Sequence, residues 1–134
     1  MRKRSFFALM IGALCLLGGC GLKARLPEHP IVYEQGINEE EGYAYLFYGD
    51  KVFVPYCAYE SEDAGSCIGY CDIPADAYSD GARVYIFELK GYSSEEWIIE
   101  SLEQNNCNEG MILREVNVTE APDGLVSDYG WNRF

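Results

Sequence analysis

A single histidine, His29, stands among 134 residues, between Pro27 and Pro30 near the N-terminal end. Ser-His-Asp, Cys-His and histidine–metal chemistries therefore lack a base or ligand in the body of the chain. There is no C-x-x-C pair, which excludes a thioredoxin-type redox site. No G-x-S-x-G, HExxH, P-loop or dinucleotide fingerprint is present. Basic residues are scarce: 10 Lys and Arg against 22 Asp and Glu give a net charge of −12 and a pI near 4.3. Such a chain repels phosphate backbones, so nucleic acid held by a basic patch is excluded. No apolar run reaches the roughly 20 residues of a membrane-spanning helix. Apolar residues nevertheless make up 49% and aromatics 14%, which argues for a folded domain, and the length suits one.

The N-terminal segment reads as an address. Arg2, Lys3 and Arg4 form a positive n-region, and residues 6–17 (FFALMIGALCLL) follow as an apolar run of signal-peptide length. Leu17, Gly18, Gly19 and Cys20 come next. This tetrad resembles the lipobox of bacterial lipoproteins, an aliphatic residue and two small ones before an obligatory cysteine. The resemblance implies cleavage between Gly19 and Cys20, with the Cys20 thiol taking a diacylglyceryl group and the freed amine a further acyl chain. Two chains or more hold a protein on a bilayer where one would be marginal. Loss of Arg2, Lys3 and Arg4 leaves 7 basic residues against 22 acidic ones, a mature charge of −15. The expected organisation is a signal peptide at 1–19, a lipidated tether at 20–41 and a globular domain at 42–134. Pro27, Pro30, Gly36 and the run Glu39-Glu40-Glu41 mark the tether. Within it, Ile31, Val32 and Tyr33 could dock as an edge strand.

From residue 42 onward the pattern is that of strands. Tyr43, Tyr45 and Phe47 alternate with Ala44, Leu46 and Tyr48, and after Gly49-Asp50 the pattern resumes as KVFVPY. Two β-rich runs split by a two-residue Gly-Asp step predict a tight hairpin. Pro55 cannot donate a ladder bond, so the second strand should be an edge or be bulged there. Further strands are expected at 67–73 (CIGYCDI), 83–89 (RVYIFEL) and 111–118 (MILREVNV). Residues 93–102 (SSEEWIIESL) carry two signals. Ser93 and Glu96 have capping-box spacing, while Trp97, Ile98 and Ile99 favour a strand. One helical turn leading into a strand at 97–101 is expected, with a helix near 94–104 as the alternative. The fold class is therefore all-β, a small antiparallel meander or partly open barrel, with α+β as the alternative.

Cys15 leaves with the signal peptide and Cys20 is lipidated, so Cys57, Cys67, Cys71 and Cys107 remain. Four cysteines in an exported domain predict two disulfides. Cys67 and Cys71 lie four apart on a strand, roughly 13 Å, whereas a disulfide needs Cα atoms within about 7 Å. The expected bridges are Cys57–Cys67 and, by elimination, Cys71–Cys107. A four-cysteine zinc site would show two C-x₂₋₄-C pairs, and only Cys67-x₃-Cys71 comes close.

No catalytic residue and no metal or other cofactor is expected. Glu88 and Glu100, each inside an apolar run, are the carboxylates that a glycosidase-type acid/base pair would use. Their simpler role is ion pairing with Arg83 or Arg114, and the predicted contact is Arg114–Glu100, with Glu88 facing Arg83 or solvent. Asp72/Asp76/Asp80 and Asp123/Asp128 would offer Ca²⁺ ligands but lack the EF-hand pattern. Asn117-Val118-Thr119 fits a glycosylation sequon inside a predicted strand. Eleven tyrosines and two tryptophans beside strong negative charge suit sugars or cationic ligands. VFVPY, CIGY and RVYIFELKGYSSEEW resemble small envelope lipoproteins of Gram-positive bacteria that have no assigned activity. The expected function is a lipid-anchored extracytoplasmic binding module, non-enzymatic, on the extracytoplasmic face of a bacterial membrane. Its expected partners are that membrane and a cell-wall, glycan or protein ligand. The alternatives are a small carboxylate-dependent hydrolase of wall or glycan polymers and a purely structural envelope protein.

Overall fold

The computed structural model describes residues 26–59, 63–76, 80–102, 107 and 109–128. The expected signal peptide, the lipobox-like tetrad with Gly19 and Cys20, and the expected tether up to residue 25 lie outside the described residues. Seven strands follow: β1 (Ile31–Asn38), β2 (Tyr43–Tyr48), β3 (Lys51–Tyr59), β4 (Ala64–Ile73), β5 (Ala82–Leu89), β6 (Trp97–Ser101) and β7 (Gly110–Glu115). They close into a barrel in the order β1-β2-β3-β7-β6-β5-β4. The chain is all-β, and no helix occurs among the described residues.

The barrel is two meanders, β1–β2–β3 and β4–β5–β6–β7, joined along two seams. One seam is antiparallel, β3 against β7. The other is parallel, β1 against β4, through Ile31↔Gly69, Val32↔Tyr70 and Tyr33↔Cys71. A single meander and a partly open barrel are both corrected by this closure, which removes the free edges an open sheet would carry. A Cβ at Gly69 would collide with the Ile31 carbonyl, so glycine is what lets the parallel seam close. The sequence boundary at 42 is corrected too. Residues 31–38 form a barrel stave rather than tether, because Tyr33 on β1 is buried in the core.

Local signals carried through elsewhere. Tyr48 faces Lys51 across the Gly49-Asp50 step, and Gly49 alone takes positive φ (58°), as a type II′ hairpin turn requires. Pro55 lies at a register shift between Pro55 and Cys57, so the missing donor is absorbed by a bulge on an interior strand. At 93–97 the Ser93 carbonyl accepts hydrogen bonds from the Glu96 and Trp97 amides, both at 3.0 Å. Ser93 Oγ accepts a further one from the Glu95 amide. That single turn leads into β6 and the helical alternative is not taken. Trp97, Ile98 and Ile99 are buried on both faces of the sheet, which a helix could not offer three consecutive bulky residues.

Two cores result. All seven strands contribute to the first: Tyr33, Leu46, Phe53, Cys71, Val84, Ile86, Ile98 and Leu113. The second lies on the other face of β3–β7 and is built from Tyr56, Cys57, Tyr59, Cys67, Phe87, Leu89, Trp97, Ile99, Cys107 and Ile112. Leu26, Val118, Ala121 and Leu125 pack against it from outside the sheet. Asp128 holds the C-terminal segment in place: its amide donates to the Tyr56 carbonyl, and its carboxylate accepts from the Ala58 amide.

The expected disulfides are corrected. Cys57, Cys67, Cys71 and Cys107 are all buried free thiols. Cys57 and Cys67 end one row of register, Cys57↔Ile112↔Ile99↔Phe87↔Cys67. Four strand steps one way round the barrel wall, and three the other, separate β3 from β4, so the two cysteines are not the cross-strand neighbours that a Cα separation within about 7 Å would require. Cys71 belongs to the first core and Cys107 to the second, so a bridge between them would have to cross the sheet. Burial pushes the thiols of Cys57 and Cys71 up to about 11, which keeps them protonated and unreactive.

Candidate functional site

β6 and β7 pair through Trp97↔Arg114, Ile98↔Leu113, Ile99↔Ile112 and Glu100↔Met111. The residue opposite Arg114 is thus three places from Glu100, an odd number, and the two side chains point to opposite faces. The expected Arg114–Glu100 pair is not formed. Arg114 is buried on the face of the second core, where its Nη1 donates to the carbonyls of Glu115, Val116 and Val118 at 3.5, 3.2 and 2.8 Å. It fastens the chain that leaves β7 through these backbone oxygens. The Glu115 carboxylate beside it, also buried, accepts from the amide and side chain of Asn117 at 2.9 and 3.0 Å.

Arg83 pairs with neither candidate glutamate. It faces Asp72 across β4 and β5, with hydrogen bonds of 2.6 and 2.9 Å, and its guanidinium lies 4.1 Å over the Tyr70 ring. This pair is exposed, and such pairs are worth under about 1 kcal/mol. Glu88 leans over Gly65 of β4, its Oε2 about 3.2 Å from where a glycine Cβ would stand. Glu100 lines a cavity with Val84 and Met111 instead, and Glu88 is not among its walls. The cavity at Glu100 thus does not bring the two carboxylates of the hydrolase reading together among the described residues. Of the proposed Ca²⁺ groups, Asp72 is held by Arg83 and Asp128 by the Ala58 amide. No cluster of three or more metal-ligating side chains occurs among the described residues.

Glu100 is the chemically distinctive group. It sits on the first-core face between Ile86 and Met111, in register with both. Burial pushes its carboxyl up to about 7 from an ordinary value of 4.5. It has no ion-pair partner among the described residues.

The second feature is one that sequence reasoning approached only through the tyrosine count. β1 pairs with β4 only over residues 31–33, and β2 with β3 only over 46–48. Residues 36–38 and 43–45 therefore pair with each other alone and form a two-stranded ribbon beyond the barrel seams. On its outer face Tyr43, Tyr45 and Phe47 stand in a row, with ring centroids 6.5 and 6.2 Å apart. The Tyr45 ring lies against Gly36, where a Cβ would collide with it. On the opposite face Ile37 is 66% exposed. Glu39, Glu40 and Glu41 are exposed at the tip, where Asn38 closes the turn by accepting from the Glu41 and Gly42 amides. The alternation at 43–47 was the signal for the aromatic row. Its position on a ribbon followed only from the short seams.

Comparison with known proteins adds no family: no family model, curated protein or solved structure matches the chain.

Proposed function

We propose that the chain is a lipid-anchored extracytoplasmic binding module, non-enzymatic, which presents the β1–β2 ribbon to a wall, glycan or protein ligand. The observation that carries this reading is the ribbon itself. An aromatic row, an exposed Ile37 and an acidic tip stand on a segment that the barrel does not need for closure. Aromatic faces beside carboxylates suit sugars and cationic groups. The LGGC tetrad at 17–20 supplies the anchor. Leu26 packs on the second core, and Cys20 precedes it by six residues in the sequence. Six extended residues reach about 20 Å, which keeps the barrel close to the bilayer.

The test has two arms. Radiolabelled fatty acid should enter the wild-type protein and not Cys20→Ala. Purified protein should sediment with isolated wall material, and Tyr43→Ala together with Ile37→Ser should abolish this while leaving the unfolding midpoint nearly unchanged. Sedimentation that survives those changes would remove the ribbon from the reading.

A further inference from the structure

β5, β6 and the residues entering β7 border a cavity of about 340 Å³ that is broadly open to solvent. Glu100 reaches into it from β6 and Glu109 stands at its rim, while Val84, Leu102 and Met111 supply an aliphatic wall. Among the described residues no lysine or arginine lines it. Arg83, the nearest basic residue in sequence to Val84, is engaged with Asp72 on the other face of β5. A part-buried carboxylate thus faces an open-sided cavity with an aliphatic wall, and no basic side chain among the described residues lines it. The volume lies at the lower end of small-molecule pockets, about 300–1,000 Å³.

We propose that this cavity binds a small organic cation, with its ammonium group on Glu100 and Glu109 and its aliphatic body against Val84, Leu102 and Met111. An ammonium group is the chemistry that offsets a desolvated carboxylate while donating hydrogen bonds to it. A divalent metal is a poorer match, because two carboxylates alone do not complete the six or more oxygens that Ca²⁺ takes. An anion is repelled by both glutamates. The other titratable groups near Glu100 do not supply the missing charge. Cys71 on β4, which feels the Glu100 charge, stays a neutral thiol. Binding is therefore linked to ionisation of Glu100, which burial holds back to about pH 7. The inference stands independently of the anchor and of the ribbon.

The experiment titrates the full mature chain with n-butylammonium chloride, using sodium butyrate and n-butanol as controls. Amide shifts of Glu100 and Met111 report occupancy. Saturable binding of butylammonium is expected at pH 8, weakened about tenfold or more at pH 5, where the carboxyl is protonated. Butyrate should not bind, and butanol should bind at least about tenfold more weakly, having no charge to pair. Glu100→Gln should lose about tenfold in affinity at pH 8 and lose the pH dependence. Glu109→Gln, at an exposed position where the fold is not at stake, should lose a few-fold. Absence of saturable binding, equal binding of butanol, or unchanged affinity in folded Glu100→Gln would each overturn the proposal.

Discussion

Replacing Glu100 by glutamine keeps the shape of the side chain and removes its charge, so the variant isolates what burial does to the carboxylate. In the folded chain the group titrates at about 7, against 4.5 ordinarily. Between these values the folded state binds more protons than the unfolded state. Stability must then fall as pH rises from about 4.5 to 7 and level off above. A difference of about 2.5 units corresponds to roughly 3 kcal/mol against the ionised form. Partial exposure of the side chain at the cavity reduces this to an expected 1–3 kcal/mol, about. Glutamine does not titrate, and the remaining carboxylates are common to both proteins. The difference in unfolding free energy should be near zero at pH 4.5 and should favour Glu100→Gln by about 1–3 kcal/mol at pH 8. Urea unfolding followed by tryptophan fluorescence measures it, since Trp97 is fully buried. Equal stability at pH 8, or a difference that does not change with pH, would refute the claim that Glu100 is buried without a compensating cation.

Arg114→Ala should cost about 2–4 kcal/mol, because three carbonyl oxygens lose a charged donor. Its effect should add to that of Glu100→Gln within about 0.5 kcal/mol, since the two groups face opposite sides of the sheet; strong coupling would restore the ion pair. Gly69→Ala should lower the urea midpoint by the equivalent of about 2 kcal/mol or more, through collision with the Ile31 carbonyl at the parallel seam. An unchanged midpoint would show that closure contributes nothing. Alkylation without reductant should leave Cys57, Cys67, Cys71 and Cys107 unmodified in the native protein and label all four after denaturation. A disulfide-linked peptide joining any two of them would contradict the placement of the thiols.

The strands and turns were legible because their signals are local. Glycine at the first hairpin position, a proline that cannot donate, and three bulky residues in succession each act within a few neighbours of the chain. The bounds of β6 at Trp97–Ser101 agree with the sequence reading for that reason. The extent of the domain was less legible. Ile31, Val32 and Tyr33 look like the end of a proline-bounded tether, and only the seam with β4 makes them part of the barrel.

Pairings across the sheet were misread for one physical reason. Side chains alternate with a period of two, so a shift of one residue between neighbouring strands exchanges the faces. β6 and β7 were correctly taken as neighbours, but their register sets Trp97 opposite Arg114 and sends Glu100 to the other core. The cysteines follow the same rule. Their spacing excluded Cys67–Cys71, but the partners depended on strand order and on two register shifts in β4 that the residues between them do not signal. By itself the sequence determined the class of fold, most of the staves, the hairpin and the bulge, since each is set by residues a few positions apart. Barrel closure, the two cores, the ribbon beyond the seams and the cavity at Glu100 were decided by tertiary structure. They depend on register and contact between residues distant in the chain, where the gain comes from burial summed over all seven strands.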